Sequence, residues 1–342
     1  KESPDGTIWI IHDHERTGAG EILLRKITED DIINGREPGS PIIISRLERP
    51  RIDTRRELFV DDCLADQMEN VCFKLHHPTP REVVFQADKP WEGGLSGYVT
   101  VFQDEGKYRM YYKGYPRLET LHELPPHPLW ICYAESADGL NWERPELGFH
   151  EFQGSKKNNI IHVGFGQDGK AVHGFTPFRD DNPDCPPDER YKGVGGVGGP
   201  EAKTTRGDLH AAVSPDGIHW NLMSEEPILK NREHGYFDSQ NLAFWDAERG
   251  EYRIYFRDYR DYGKPSKVRT IKTATSKDFR HWENVTELAY PDRPTTQLYT
   301  SQVQPYYRAP HLFLGFPARY TERKWSPTIE ALPELEKRRG RA

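Results

Sequence analysis

The chain has 342 residues, of which 35% are apolar and 12% aromatic, with 29 glycines and 27 prolines. This composition is typical of many short strands joined by turns rather than of long helices. The formal net charge of −7 argues against a nucleic-acid-binding protein, which would need a basic surface to neutralise phosphates.

Membrane, metal and cofactor sites are not expected. No apolar stretch approaches the ~20 residues that span a bilayer, so we predict no membrane span. The four cysteines lack zinc-site spacing, and we predict buried thiols or at most one disulfide, with neither a metal nor a cofactor. The sequence begins at Lys1 without a signal peptide, and an extracellular or periplasmic location with a leader outside this sequence is favoured.

The first 46 residues are predicted to form a separate segment. The sequence DGTIWIIHDHERTGAGEILL predicts two strands around a Gly-rich turn, and the Pro- and Gly-containing GREPGSPIIISRLERPR predicts a linker. The hairpin sequence resembles the closing hairpins of sialidase-like propellers. The alternative is an N-terminal hairpin that packs on the main domain. We place the main domain at residues 47–342.

A turn motif occurs three times in the main domain. Its pattern is A-x-S-x-D-[G/F]-x-x-W, and it reads AESADGLNW at 134–142, AVSPDGIHW at 212–220 and ATSKDFRHW at 274–282. The Asp can accept hydrogen bonds from backbone N–H groups of a tight turn. The Trp can cover the seam between adjacent sheets. We therefore interpret this turn as part of the scaffold.

Each turn follows a segment that predicts a β-hairpin, at 97–115, 173–197 and 239–259. A third strand leads into each turn, and a weaker fourth strand follows each Trp. Four short antiparallel strands that repeat along the chain are typical of propeller blades. A fourth unit begins at 298–320 without its turn. We therefore predict an all-β fold of the five-bladed propeller type, with about four blades present and the ring imperfectly closed.

The turn, together with the preceding Y-R-x-Y-aromatic hairpin, resembles the five-bladed propeller glycosidases of glycoside hydrolase families 32 and 43. The resemblance covers about residues 55–330. These families include invertases, levansucrases, arabinanases and xylosidases, and they place three carboxylates at the starts of innermost strands. The resemblance thus implies a glycoside hydrolase that holds a poly- or oligosaccharide in the central funnel, where two carboxyl groups act on the glycosidic bond.

Three carboxylates are candidates for this chemistry. Asp238, in GYFDSQNLAFWD, is the best positional match, and its alternative role is to cap the strand start. Glu92, in KPWEGG, precedes the first innermost strand, and Trp91 beside it could stack on a sugar; the alternative is a surface loop. Asp180, in PFRDDNP, is similar to the invertases' Arg-Asp-Pro motif, but its hairpin position favours a structural role. We expect Asp238 and Glu92 to form the pair, within about 10 Å of each other.

Further planar polar and aromatic residues are predicted to bind the sugar, unless they only tie the blades together. They are His173, Arg257, Tyr299, Gln302, Arg308 and Arg319. Two other functions stay open. The incomplete match to the three carboxylates favours a non-catalytic carbohydrate-binding propeller, and a protein-interaction propeller would need an exposed rim that the sequence does not reveal.

Overall fold

A computed structural model describes the backbone of two N-terminal strands and most of residues 52–335. The gaps in the second part are 53, 61–63, 66, 75, 77, 95, 117–126, 199–206, 262–266, 289–295, 322–324 and 332–334. The N-terminal strands, β1 (Thr7–Asp13) and β2 (Ile22–Thr28), form an antiparallel hairpin, as predicted. The linker after it lies outside the described residues, and the domain boundary at 46 stays a prediction.

Three four-stranded antiparallel sheets follow in chain order, and in each the strands are hydrogen-bonded in sequence order. Blade 1 consists of β3 (Gly97–Asp104), β4 (Lys107–Gly114), β5 (Trp130–Ser136) and β6 (Ile160–His162). Blade 2 consists of β7 (His173–Arg179), β8 (Tyr191–Gly196), β9 (His210–Ser214) and β10 (Asn221–Leu222). Blade 3 consists of β11 (Leu242–Asp246), β12 (Glu251–Asp261), β13 (Lys267–Ser276) and β14 (Glu283–Glu287).

The fourth unit is incomplete within the described residues. Its strands are β15 (Gln297–Leu298), β16 (Val303–Tyr306), β17 (Ala309–Gly315) and β18 (Arg319–Tyr320), and a single helical turn, α1 (Pro327–Glu330), follows. Strand β16 pairs with β17 and β15 with β18, while β1 lies close to β17. The fold is therefore all-β and of the propeller type, with three complete blades and part of a fourth in the described chain.

The apolar core lies between the blades, and the three turn tryptophans occupy equivalent places in it. Trp220 packs against Tyr111 of blade 1, and Trp282 lies in the cluster between blades 2 and 3. Trp142 lies on the matching face of blade 1, which the segment containing Phe85 and Trp91 covers. Trp220 and Trp282 thus cover seams between adjacent blades, as predicted, whereas the face that holds Trp142 is covered by a segment and not by a blade.

The repeated turns have the predicted geometry as well. Each ends the third strand of its blade, so that β5, β9 and β13 finish at the serine of the motif. In the second turn, Asp216 Oδ1 accepts hydrogen bonds from the backbone N–H groups of Ile218 and His219, both at 2.8 Å. Burial would raise the pKa of Asp216, but these hydrogen bonds outweigh it and lower the pKa to about 2.

One detail of the predicted blade is wrong. The fourth strand of blade 1 does not follow Trp142 directly, because residues 143–159 form a long connection before β6 begins at Ile160. The backbone hydrogen bonds of this connection to the preceding strand lie at its two ends, where Glu143 N donates to Glu135 O at 2.8 Å and Asn159 O accepts from Tyr133 N at 2.9 Å.

Candidate functional site

The innermost strands bring their first residues together around the propeller axis. The Tyr98 hydroxyl at the start of β3 lies 3.4 Å from the Tyr299 hydroxyl in the fourth unit. His173, the first residue of β7, reaches Asp238 in the bend before β11. We call this cluster the axial site and define it by six residues: Tyr98, Lys113, His173, Asp238, Arg257 and Tyr299.

Asp238 is the carboxylate of the axial site. Its Oδ1 lies 3.2 Å from His173 Nε2, and its Oδ2 lies 3.3 Å from Arg257 Nη2. The side chain of Asp238 is 29% exposed, whereas that of Arg257 is 3% exposed. Burial alone would raise the pKa of Asp238, but the contact with His173 and the charge of Arg257 hold it below the ordinary value. An ionised carboxylate that substrate can reach is suited to act as a nucleophile or base.

A buried amide fixes the bend that carries Asp238. Asn241 is fully buried, and its Nδ2 donates hydrogen bonds to the carbonyls of Phe237 at 3.0 Å and Ser239 at 3.1 Å. Its Oδ1 accepts a hydrogen bond from the backbone N–H of Arg257 at 3.2 Å. One side chain therefore holds both the bend and the strand that presents the guanidinium.

A glycine allows blade 2 to approach this bend. Gly174 has a positive φ of +61°, and a Cβ atom there would lie 2.4 Å from the carbonyl oxygen of Ser239. A side chain would therefore force β7 away from the bend. The neighbouring His173 could then no longer lie against Asp238.

Aromatic rings and cations line the rest of the axial site. Lys113 Nζ lies 4.7 Å from the Tyr98 ring centre, and the Arg257 guanidinium lies 5.4 Å from that of Tyr299. Burial, the hydrogen bond with Tyr299 and the charge of Asp238 raise the pKa of Tyr98, so its phenol is neutral. Such rings can stack on the C–H face of a sugar, while the polar groups bind its hydroxyls.

Four of the sequence-predicted residues thus lie together: Asp238, His173, Arg257 and Tyr299. Gln302 is next to them, because its Nε2 donates a hydrogen bond to Gln240 Oε1 at 2.6 Å, and Gln240 in turn reaches Thr100 Oγ1 at 3.2 Å. Arg319 pairs through the backbone with Leu298, the residue before Tyr299.

Glu92 and Trp91 lie elsewhere, on the face of blade 1 turned away from blade 2. Glu92 is completely buried and accepts hydrogen bonds from the Tyr112 hydroxyl, from Arg144 Nε at 2.7 Å and from the backbone N–H of Lys89 at 2.9 Å. Trp91 Nε1 donates to Asn159 Oδ1. These partners occupy both carboxylate oxygens of Glu92, and its pairing with Asp238 stays a prediction.

Asp180 also has a full set of internal partners. It follows the last residue of β7, whose first residue is His173, so it lies roughly 20 Å along the strand from the axial site. Its Oδ2 accepts hydrogen bonds from Lys192 Nζ and from the Tyr252 hydroxyl, both at 2.6 Å. Its Oδ1 accepts one from the backbone N–H of Asn182 at 2.9 Å. The geometry agrees with the structural alternative.

Arg308 lies in the turn between β16 and β17, at the end of β16 away from the axial site, and it is exposed. Its guanidinium lies 5.3 Å from the ring centre of Tyr307. Nothing in the geometry joins it to the other candidates.

Sequence reasoning missed two residues of the axial site, Tyr98 and Lys113. Tyr98 lies at the start of the first innermost strand, but it is not a carboxylate, the residue type that the resemblance implies at that position. Lys113 is opposite Gly97 across the β3–β4 pair. Both residues lie near the ends of the hairpin predicted at 97–115, and this position is the sequence feature that could have identified them.

No cluster of three or more potential metal ligands occurs within the part of the chain that the structure describes. In the same part of the chain, no helix is long and apolar enough to cross a membrane. Cys72, Cys132 and Cys185 carry free thiols. Cys132 is buried as predicted, whereas Cys185 is partly buried and Cys72 is exposed, so the prediction of a buried thiol is wrong for Cys72. Cys63 lies outside the described residues.

No family model and no curated protein matches the sequence. Among solved structures, the chain is similar to a glycoside hydrolase at 16% identity, covering 61% of this chain and 62% of that one, with a TM-score of 0.41. A glycosyl hydrolase from Bacteroides ovatus is 16% identical, with coverage of 60% and 55% and a TM-score of 0.36. A fructofuranosidase from Schwanniomyces occidentalis, complexed with fructosylnystose, is 13% identical, with coverage of 66% and 42% and a TM-score of 0.40. The chain therefore spans less than two thirds of each of these structures.

Proposed function

We propose that this protein is a glycoside hydrolase that acts on a poly- or oligosaccharide in the axial site, with Asp238 as its catalytic carboxylate. The observation that carries the proposal is the position of Asp238. It is partly exposed at the axis between His173 and Arg257, while Glu92 and Asp180 have only internal partners.

The chemistry follows from the charge state of Asp238. Because its pKa is lowered, the carboxylate is ionised at neutral pH and can attack the anomeric carbon or activate a water. His173 and Arg257 are positioning residues, since they hold the carboxylate and its charge. The donor that protonates the leaving oxygen lies outside the six residues of the axial site in this proposal.

Chemical rescue tests the proposal. Purified wild-type protein is assayed for the release of reducing ends from oligosaccharides and of nitrophenol from aryl glycosides. Asp238→Ala should abolish release, and sodium azide should restore it by entering the space of the lost carboxylate. A glycosyl azide product identifies Asp238 as the group that attacks or activates the nucleophile. The control variant is Asp181→Ala. Asp181 is exposed and paired with Arg179, so this variant should hydrolyse the glycosides at the wild-type rate.

The second candidate is a non-catalytic carbohydrate-binding propeller. One observation favours it: Asp238 is the single carboxylate of the six axial residues, whereas glycoside hydrolysis ordinarily uses two. Calorimetric titration with oligosaccharides separates the candidates. Sugar binding to the wild type and to Asp238→Ala without turnover by either would establish the binding propeller, and turnover by the wild type alone would establish the hydrolase.

A further inference from the structure

Positive groups outnumber negative groups around the axial site. Arg257 and Arg269 lie 5.4 Å and 5.9 Å from the ring centre of the same tyrosine, Tyr299. Lys113 lies over Tyr98 on the blade 1 side of the site. Among the axial residues that the structure describes, the one carboxylate is that of Asp238, which already contacts Arg257 at 3.3 Å.

Two of the cations form no ion pair with a carboxylate in the described part of the chain. Lys113 Nζ lies 4.7 Å and 6.0 Å from the ring centres of Tyr98 and Tyr115. The acidic group that acts on Lys113 is Asp238, which it shares with Arg257 and His173. Arg269 donates from Nη1 to the amide oxygen of Gln297 at 2.7 Å and lies 4.2 Å from the ring centre of Tyr320. Neutral partners of this kind orient a cation but do not balance its charge.

Arg257 adds unused hydrogen-bond donors at the same place. The side chain is 3% exposed, and its Nε has no hydrogen-bond partner among the described residues. The Nε of Arg269 is buried and without such a partner as well. Buried donors that the protein leaves unpaired are costly, and a ligand that supplies acceptors removes that cost.

We propose that the axial site selects an acidic sugar, a glycan residue whose carboxylate is bound by Arg257, Arg269 and Lys113 while its ring lies beside Asp238. A carboxylate offers two coplanar acceptor oxygens, which match the fork of a guanidinium. A neutral sugar brings hydroxyls but no charge, so it would leave the excess positive charge uncompensated. This inference rests on the proposed function and specifies its substrate class.

The aromatic lining favours a sugar over a free inorganic anion. Tyr98, Tyr299 and Tyr259 stand beside the same cations, and Arg257 lies 5.3 Å from the ring centre of Tyr259. Inorganic phosphate would satisfy the charges and leave these rings without a contact. An acidic sugar satisfies both, because its carboxylate pairs with the cations and its C–H face stacks on a ring.

Matched sugar pairs test the inference by calorimetric titration of the full chain. The pairs are methyl glucuronide against methyl glucoside and methyl galacturonide against methyl galactoside, each in both anomers, because the members of a pair differ only in the carboxylate. We expect at least one acidic sugar to bind about tenfold or more tightly than its neutral match. Added sodium chloride should weaken the binding of the acidic sugar more than that of the neutral one.

A lysine variant locates the effect. Lys113→Gln should weaken the binding of the acidic sugar severalfold more than that of its neutral match, so the acidic preference should shrink. The matched control is Lys107→Gln at the other end of the same strand, where the lysine pairs with Glu135 at 2.7 Å; it should keep the full preference.

Three results would overturn the inference. Equal or tighter binding of the neutral sugars, with hydrolysis of neutral glycosides, contradicts the acidic substrate class and leaves the proposed hydrolase standing. Binding of inorganic phosphate more tightly than any acidic sugar, weakened by Lys113→Gln, assigns the cations to a free anion instead. Absence of both sugar binding and glycoside turnover contradicts the inference and the proposed function together.

Discussion

The two ends of the innermost strands use carboxylates in opposite ways. At the end away from the axis, Asp104, Asp180 and Asp246 close the strands, and each side chain is 0% exposed and paired with a cation of its own blade. At the axis end, Asp238 is 29% exposed between His173 and Arg257. The three carboxylates away from the axis accept hydrogen bonds and ion pairs from the protein, whereas the exposed part of the Asp238 carboxylate is accessible to a ligand.

The contacts at the end away from the axis repeat from blade to blade. The Tyr191 hydroxyl of blade 2 donates to Asp104 of blade 1, and the Tyr252 hydroxyl of blade 3 donates to Asp180 of blade 2 at 2.6 Å. A contact that recurs at two successive seams belongs to the scaffold. The His173–Asp238 contact occurs once, which is expected of a site and not of a repeat.

The largest expected effect comes from removing the charge of the axial carboxylate. Asp238→Asn keeps the shape of the side chain, so glycoside turnover should fall by about 10³-fold or more while the protein stays folded. The measurements are kcat/KM on the best glycoside and the thermal midpoint of unfolding. A variant that unfolds, with no loss of turnover per folded molecule, would make Asp238 a strand cap instead.

The opposite result is expected for the equivalent change at the other strand end. Asp180→Asn leaves Lys192, which is 1% exposed, without its main counter-charge. Loss of one member of such a buried pair should lower the free energy of unfolding by about 3–5 kcal/mol. Denaturant titration measures this loss. At a temperature where the variant is folded, its turnover should match the wild type; a large fall in turnover without destabilisation would move Asp180 into the site.

Glycine substitutions separate backbone strain from disturbance of the site. Gly174→Ala places a methyl group against the Ser239 carbonyl and should reduce turnover by about 10–100-fold, because His173 no longer holds Asp238. The control is Gly250→Ala, which has a similar φ of +60° but open space around its Cβ position. It should carry similar backbone strain without the clash, so it should cost less stability than Gly174→Ala and leave turnover unchanged. Equal turnover in the two variants would show that the close approach of β7 does not matter for the site.

The smallest effect concerns acid stability, to which the repeated turns contribute. The pKa of Asp216 is lowered to about 2, and those of Asp138 and Asp278 are lowered by hydrogen bonds of the same turn. A lowered carboxyl pKa stabilises the fold above the unfolded value near 3.8, and this contribution is lost as the pH falls towards 2. Thermal midpoints measured from pH 5 to pH 2.5 should therefore decline. Asp216→Asn should decline less steeply, and an unchanged slope would show that the turn does not contribute.

The sequence was informative where the structure repeats and where strands begin. The turn motif identified the blades, and the starts of innermost strands identified Asp238 and His173, because chain topology places those positions at the axis. It was less informative in the connection before blade 1. An acid beside a tryptophan and two glycines has the composition of a sugar-binding loop, but that composition does not show that Trp91 packs on the open face of blade 1 or that Glu92 is completely buried.

The remaining differences have local physical causes. Tyr98 lies at an irregularity of the β3–β4 pairing and has a positive φ of 48°, which simple strand alternation does not predict. Asp180 lies in a sequence similar to a catalytic motif, but the partners that fill its acceptors come from residues 12 and 72 positions away. Whether the acceptors of a carboxylate are filled by other side chains depends on packing between strands and blades. The local sequence around that carboxylate therefore does not predict it.

A crystal structure with a bound oligosaccharide tests the central claim most directly. Asp238→Asn protein is suited to this measurement, since it should bind the substrate without consuming it. The account predicts a sugar ring beside Tyr98 and Tyr299, with an anomeric carbon about 3–3.5 Å from the residue 238 side chain or from a water bound to it. A sugar bound elsewhere on the propeller, with the axial site free of it, would contradict the account.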